Sequence, residues 1–387
     1  MSRRTSPGRP RRRAAAFARR LSLCLPLSVP LLGLGGCGTI GYYSQAVGGH
    51  LALMRAREPI AALVAAEDTD PELRAQLETL VAARAFAARE LALPDNDSYS
   101  TYVETGRQAV TWNVVAAEEF SLEARTWCFP VAGCVSYRGY FDEAEAHAYA
   151  AALAADEGLD VTVGGASAYS TLGWFADPVL DTMLRGGELR YVGTLFHELA
   201  HQVVYVKDDS DFNEAYATFV ERTGTRRWLR ERGEASRIAA YDASLGRGAD
   251  FVALLARTRE ALADLYADES LSAEAMRAAK GEVFEGMRAR YEALKGDWGG
   301  YAGYDGWFAR ELNNARLVAV STYRRYVPAF AALYAEAGED IGRFHALVAE
   351  VGELPFEERR ARLDALLDDA AGRGDGQGVG QEDGRGA

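Results

Sequence analysis

Cysteine and histidine are scarce in this chain: 387 residues include four Cys and five His. Positive charge is also in short supply, with 43 Lys and Arg against 56 Asp and Glu. That balance argues against nucleic acid and against an anionic lipid surface as a partner, because phosphates and anionic headgroups are held by an excess of cations. No apolar run is long enough for a permanent membrane span. The best stretch, Leu21–Leu34, is broken by Pro26 and Pro30 and falls short of the about 20 residues a spanning helix needs. There is no internal repeat. What stands out against this background is His197-Glu198-Leu199-Ala200-His201. Two of the five His lie four residues apart, on one face of a helix, where both imidazoles can grip one zinc ion and the Glu between them can act on water.

The two ends read as lying outside the fold. Residues 1–36 hold eight Arg and no acidic residue, followed by the apolar run, the layout of an export signal. The segment ends in Leu34-Gly35-Gly36-Cys37, which resembles the lipobox of bacterial lipoproteins. The resemblance implies that Cys37 carries lipid and becomes the mature N-terminus; the alternative is an ordinary small-residue cleavage site with an incidental Cys. Gly38 follows, not Asp, which by the rules of that class points to the outer membrane, with the protein facing the periplasm. The Arg19-Arg20 pair hints at a twin-arginine route. Without the eight Arg of residues 1–36 the chain keeps 35 basic against 56 acidic residues, a formal charge of −21. Membrane attachment is therefore expected through the lipid on Cys37 and not through a basic patch. Cys24 leaves with the signal. Cys128 and Cys134 sit in Cys-Phe-Pro-Val-Ala-Gly-Cys, where Pro130 and Gly133 favour a tight turn, and an oxidising compartment favours a local disulfide. Free thiols are the alternative, and so is a metal pair, which would lack two nearby ligands. Residues 372–387 are Gly-rich with almost nothing to bury, and are expected to be disordered; the Arg-Gly-Asp within them reads as composition.

Between the ends, residues 37–371 read as one domain of α+β class, mainly helical. Residues 37–100 carry apolar residues at helical spacing, with a new helix starting at Asp70-Pro71. Residues 101–230 hold a small sheet and the His-bearing helices. Ala109–Ala116 reads as a strand, 124–129 as a second, and Leu159–Val163 as a third. A strong helix starts at Asp142 and ends at Gly158, and another covers roughly 189–206. Residues 231–371 read as helical, with breaks near Gly246, between Gly296 and Gly303, and at Pro328.

Catalytic zinc usually takes a third protein ligand and leaves a place for water. A third His is excluded, because position 204 is Val, position 207 is Lys and the next His is at 345. A carboxylate must serve. Asp208, Asp209 and Asp211 look like the loop after the first helix, and Asp211 is also a natural N-cap. Glu214 opens a second helix that would bring it back beside His201 if the two pack antiparallel, and Glu221 shares its face. Glu214 is the preferred ligand, and the bland reading of it is a first-turn acid favoured by the helix dipole. Glu198 is the only formal charge between Arg190 and Lys207, as a zinc-peptidase consensus requires.

His-Glu-x-x-His followed by Asn213-Glu214 resembles the gluzincins, zinc peptidases whose third ligand is Glu. The longer block Phe196–Glu221 is similar to a bacterial family of predicted zinc aminopeptidases, often lipoproteins. Cys128–Phe141, Ala168–Phe175 and Leu312–Ala315 match that family too. The resemblance implies a zincin-like metallopeptidase fold, with the sheet before the zinc helix and a helical C-terminal part. It implies one Zn2+ held by His197, His201 and Glu214, a peptide substrate, and Glu198 as general base and acid. One departure is the gap of twelve residues between His201 and Glu214, shorter than in better-known gluzincins. An oxyanion-stabilising Tyr is expected by analogy; Tyr323 is the choice, with Tyr301, Tyr304 and Tyr326 as rivals. The segment Gly164–Phe175 is where a substrate would lie by the same analogy. An envelope endopeptidase and a non-catalytic zinc-binding lipoprotein stay open as alternatives.

Overall fold

The β-branched run beginning at Val110 forms the middle of the best-developed sheet. The computed structural model describes residues 36–129, 133–168, 171, 175–320 and 325–374. In it, Thr111–Ala117 pairs antiparallel with Arg138–Tyr140 on one side and Asp160–Ala166 on the other, and Val114 stands opposite both Arg138 and Val163. One face of this sheet is covered by the helix Glu143–Glu157, which buries Ala146, Ala150 and Leu153 against Val114, Ala116, Tyr140 and Val163. Asp142 caps that helix by accepting from the Glu145 N–H, and Gly158 ends it in the left-handed conformation. Val115 and Ala117 meet Val318 of the helix Asn314–Ala319.

Two smaller sheets accompany this one. Glu58–Pro59, Thr101–Val103 and Val179–Leu180 form the first, its last two strands parallel. Trp127–Phe129 and Gly133–Val135 form a two-stranded hairpin in which the sulfurs of Cys128 and Cys134 lie 2.02 Å apart, a disulfide bond. The single small sheet expected is thus three, because strands of two or three residues are too short to show an alternating pattern.

Helices supply the rest, and the molecule is mainly helical. The largest core joins Pro71–Glu90, Glu188–Ala200, Ser210–Glu231, Val327–Glu336 and Ile341–Glu353 through Leu77, Phe86, Phe196, Tyr216, Phe330 and Phe344. A second core lies between Ile238–Tyr266 and Ala273–Asp297, around Phe251, Leu254, Phe284, Met287 and Tyr291. Residues from Tyr42 onward form one compact unit. Among the described residues, no helix is long and apolar enough to cross a membrane.

Several boundaries differ from expectation. The N-terminal region has three helices, Gly36–Arg55, Ile60–Ala65 and Pro71–Glu90, the last capped by Asp70. Gly246 lies inside Ile238–Tyr266 and breaks nothing, since a lone Gly costs a helix only about 1 kcal/mol. The last helix runs to Gly374, three residues into the span read as tail. Residues 1–35 and 375–387 lie outside the described residues, as does Tyr323.

Candidate metal centre

Two antiparallel helices build the site. The first, Glu188–Ala200, buries Tyr191, Val192, Leu195, Phe196 and Leu199, so that His197 and His201 share the side turned to the second helix, Ser210–Glu231. Close approach rests on two glycines. A Cβ at Gly193 would stand 3.2 Å from Cγ of Glu221, and one at Gly224 would stand 2.9 Å from the Phe196 ring.

The first helix stops at Ala200, six residues before the expected end. Val203–Val206 continue the apolar pattern but turn away, because the Asn213 side chain accepts from the Val206 N–H (2.8 Å) and donates to the Val206 carbonyl (2.7 Å). The loop is thereby fastened to the helix it leads into. Asp209, not Asp211, is the N-cap, accepting from the Phe212 N–H at 3.2 Å.

At the centre, one carboxylate faces two imidazoles. Glu214 Oε2 is 3.3 Å from His197 Nε2, and Glu214 Oε1 is 3.6 Å from His201 Nε2. Potential ligand atoms of the three residues all fall within 4.8 Å of one another. The other three His serve elsewhere. His50 packs on Phe175, His147 pairs loosely with Glu143, and His345 is buried against Tyr216.

Of the remaining acidic candidates, Asp209 is paired with Arg359 at 2.7 Å and Asp211 with Arg360 at 2.9 Å, both from the helix Phe356–Gly374. Asp208 turns toward Gly133 of the disulfide hairpin. Glu221 does not join the Nε2 side; it lies 3.2 Å from His197 Nδ1, behind the ring. A carboxylate there fixes which nitrogen of the ring carries hydrogen and which is left for a metal. From the sequence, Glu221 is expected only as a rival ligand. What puts it behind the ring is its seven-residue spacing from Glu214 together with Gly193, one turn before His197.

The electrostatics suit a cation. Burial opposes a charge on His197, yet hydrogen bonds to Glu214 and Glu221 outweigh it and push the pKa up to about 10. Burial, reinforced by the charge on His197, pushes His201 down to about 4. Glu214 stays below the ordinary carboxylate range, because the two His outweigh its burial. His201 is 6 % exposed, its Nδ1 is buried without a partner, and its Nε2 is too far from Glu214 for a hydrogen bond. A buried imidazole left this way is costly unless something else takes its lone pair. Two imidazoles and one carboxylate form a common donor set for catalytic zinc, so the residues present fit that ion.

Around the site, Glu198 is half-buried. Tyr205 is 48 % exposed, with its ring 6.3 Å from that of His201. The three described Tyr candidates are not at the centre. Tyr326 is buried beside Arg360, Tyr304 stacks on Phe251, and Tyr301 packs near Trp298. Tyr301 is itself 44 % exposed in the loop after the helix Ala273–Asp297, and spacing from the His gives no means of seeing any of these placements. Of Gly164–Phe175, the part through Ala166 belongs to the edge strand of the main sheet, while residues 169, 170 and 172–174 lie outside the described residues. The matched block Leu312–Ala315 anchors that strand: Asn313 donates to the Val161 carbonyl at 3.0 Å, and the Asn314 N–H donates to Asp160 at 2.8 Å.

No curated protein and no solved structure matches the chain. A family model described as "Putative aminopeptidase" matches residues 41–363, a span that includes the two ligand helices, the disulfide hairpin and the Asn313-Asn314 anchor. Because that match covers far more than half of the molecule, the chain belongs to this aminopeptidase-like family.

Proposed function

We propose that the protein is a zinc-dependent aminopeptidase of zincin-like fold, with His197, His201 and Glu214 holding one Zn2+ and Glu198 as general base and acid. The observation that carries the reading is the meeting of both His Nε2 atoms on the Glu214 carboxylate. Family membership supports peptide hydrolysis. When bound, zinc would polarise the scissile carbonyl and lower the pKa of a water toward ~7. Glu198 takes one proton from the attacking water as the carbon–oxygen bond forms. It returns that proton to the leaving nitrogen as the carbon–nitrogen bond breaks, so the products are an amino acid and a shortened peptide. Glu221 holds the His197 ring in one orientation throughout. Cys37 bears the lipid in this reading, and the enzyme is tethered in the bacterial envelope, on the periplasmic side of the outer membrane.

Glu198→Gln tests the mechanism. It should retain zinc and lose roughly 10²–10⁴-fold in turnover, the usual range for a general base. Undiminished turnover would sink the role given to Glu198. Paired assays on an aminoacyl chromogen and an N-blocked peptide test the exopeptidase reading, which fails if only the blocked substrate is cleaved.

A further inference from the structure

The helix Gly36–Arg55 contains no charged residue before Arg55, in a chain of formal charge −13. One side of it is occupied. Leu53 is buried in the main core, Gln45 accepts from the Phe141 N–H at 2.9 Å, and Tyr42 packs on Tyr140 and Arg138. The other side is open. Tyr43, Val47 and Leu51 are 38, 56 and 42 % exposed. Spaced by four, they form a single apolar row along the helix. Ser44, Gly48 and Ala52 flank the row, exposed and uncharged. Phe175, 53 % exposed, adds a ring against His50, which lies two turns from Tyr43 on the same side. Surface helices ordinarily carry charged and polar residues on their open side.

We propose that this row rests on a lipid bilayer, in the interfacial layer between headgroups and acyl chains, with the helix lying along the surface. The inference rests on the lipid-anchor reading, because Cys37 precedes Tyr43 by only six residues in the sequence. An acyl chain at that position brings the row to the membrane whether or not the row binds it. The row's chemistry fits that neighbour. An acidic face would be repelled by anionic headgroups, and the row with its flanking Ser44, Gly48 and Ala52 carries no acid. A Tyr at the anchored end matches the interfacial preference of amphipathic rings. Lipid then acts as tether and the row as second contact, and together they fix which side of the enzyme faces the bilayer.

The test uses full-length acylated protein in phosphatidylethanolamine–phosphatidylglycerol vesicles, with an environment-sensitive fluorophore on Val47→Cys. The control is the same label on Val81→Cys, an exposed site on the helix Pro71–Glu90. Blue-shifted emission, quenched by lipid-borne quenchers, is expected at 47 and not at 81. Water-like emission at both sites overturns the proposal while leaving the anchor intact. Cross-linking of two Val47→Cys copies, with a concentration-dependent mass in detergent, overturns it in favour of a second copy on the row. The mass of the N-terminal peptide reports acylation separately. If Cys37 proves bare, the anchor reading fails, and the row is judged on the Cys37→Ser protein. That protein must co-float with the same vesicles and lose this several-fold in the Val47→Asp, Leu51→Asp double variant; no co-flotation overturns the proposal.

Discussion

His201 and His345 are equally buried, each 6 % exposed, and they face opposite sides of the same helix, Ser210–Glu231. His345 is satisfied at both nitrogens: Nε2 lies 2.9 Å from the Leu91 carbonyl and Nδ1 2.8 Å from the Tyr216 hydroxyl. A carbonyl can only accept, so Nε2 carries the hydrogen and Nδ1 accepts from Tyr216. Phe344 packs on the His345 ring and Phe330 on that of its partner Tyr216. The His201 imidazole makes no hydrogen bond among the described residues, although Glu214 stands just out of reach. Equal burial thus hides opposite purposes. One imidazole completes a hydrogen-bond chain, and the other could give its lone pair to the proposed zinc.

Replacing each His by Leu should pull this contrast apart most strongly. His201→Leu should abolish zinc binding and hydrolysis, yet leave the metal-free protein as stable as before or more so, because it removes unpaired polar groups and replaces them with apolar volume. His345→Leu should do the reverse, costing about 1–3 kcal/mol for each polar group left unpaired, at Tyr216 and Leu91. Its turnover at saturating zinc should persist. Denaturant unfolding beside metal analysis reads both, and a metal-free His201→Leu protein that unfolds as easily as His345→Leu would refute the contrast.

The carboxylates on the same helix can be compared in the same way. Asp209 and Arg359 form a buried pair, so Arg359→Met should strand a buried charge and cost about 3–5 kcal/mol, with zinc stoichiometry in the folded fraction unchanged. Glu221→Gln should weaken zinc affinity by about 10–100-fold without abolishing it, the usual effect of losing a partner behind a ligand His. Equal zinc loss in Glu221→Gln and Glu214→Ala would mean that both carboxylates are ligands.

The gentlest probe is pH. His197 is protonated in the metal-free fold up to about pH 10, above its ordinary 6.5. That charge stabilises the metal-free fold fully below pH 6.5, and the contribution is lost as pH rises through 10. Zinc must displace the proton, so its apparent affinity should climb about tenfold per pH unit across the neutral range. Calorimetry in buffers of different ionisation enthalpy should report about one proton released per ion; none released would show that His197 is already neutral.

Much of this was legible before the structure. The two His, the antiparallel return to Glu214, the strand after Val110 and the helix from Asp142 to Gly158 follow from local spacing and capping. What was hidden depends on tertiary distance. Glu214 and Glu221 share one helix face, and only the separation of the two helices, set at Gly193 and Gly224, puts the first at the Nε2 side and the second behind the ring. The sequence carries the first helix six residues too far because Val203–Val206 keep an apolar rhythm, and the Asn213 bracket that ends it is a contact across a loop. Gly246 looks like a break in the sequence because propensity is a weak guide inside a long packed helix.

The Asn213 bracket has a further consequence, for the order of assembly. The proposed ligands lie within 18 residues, His197 to Glu214, and the loop between them is held by its own neighbour. The bond from His345 to Leu91, by contrast, closes 254 residues of chain. Short closures form fast and long ones slowly. The helical hairpin should therefore be formed in the folding transition state, and the His345 contact should come after it. Substitutions at Asn213 would then slow folding, while substitutions at His345 would chiefly speed unfolding.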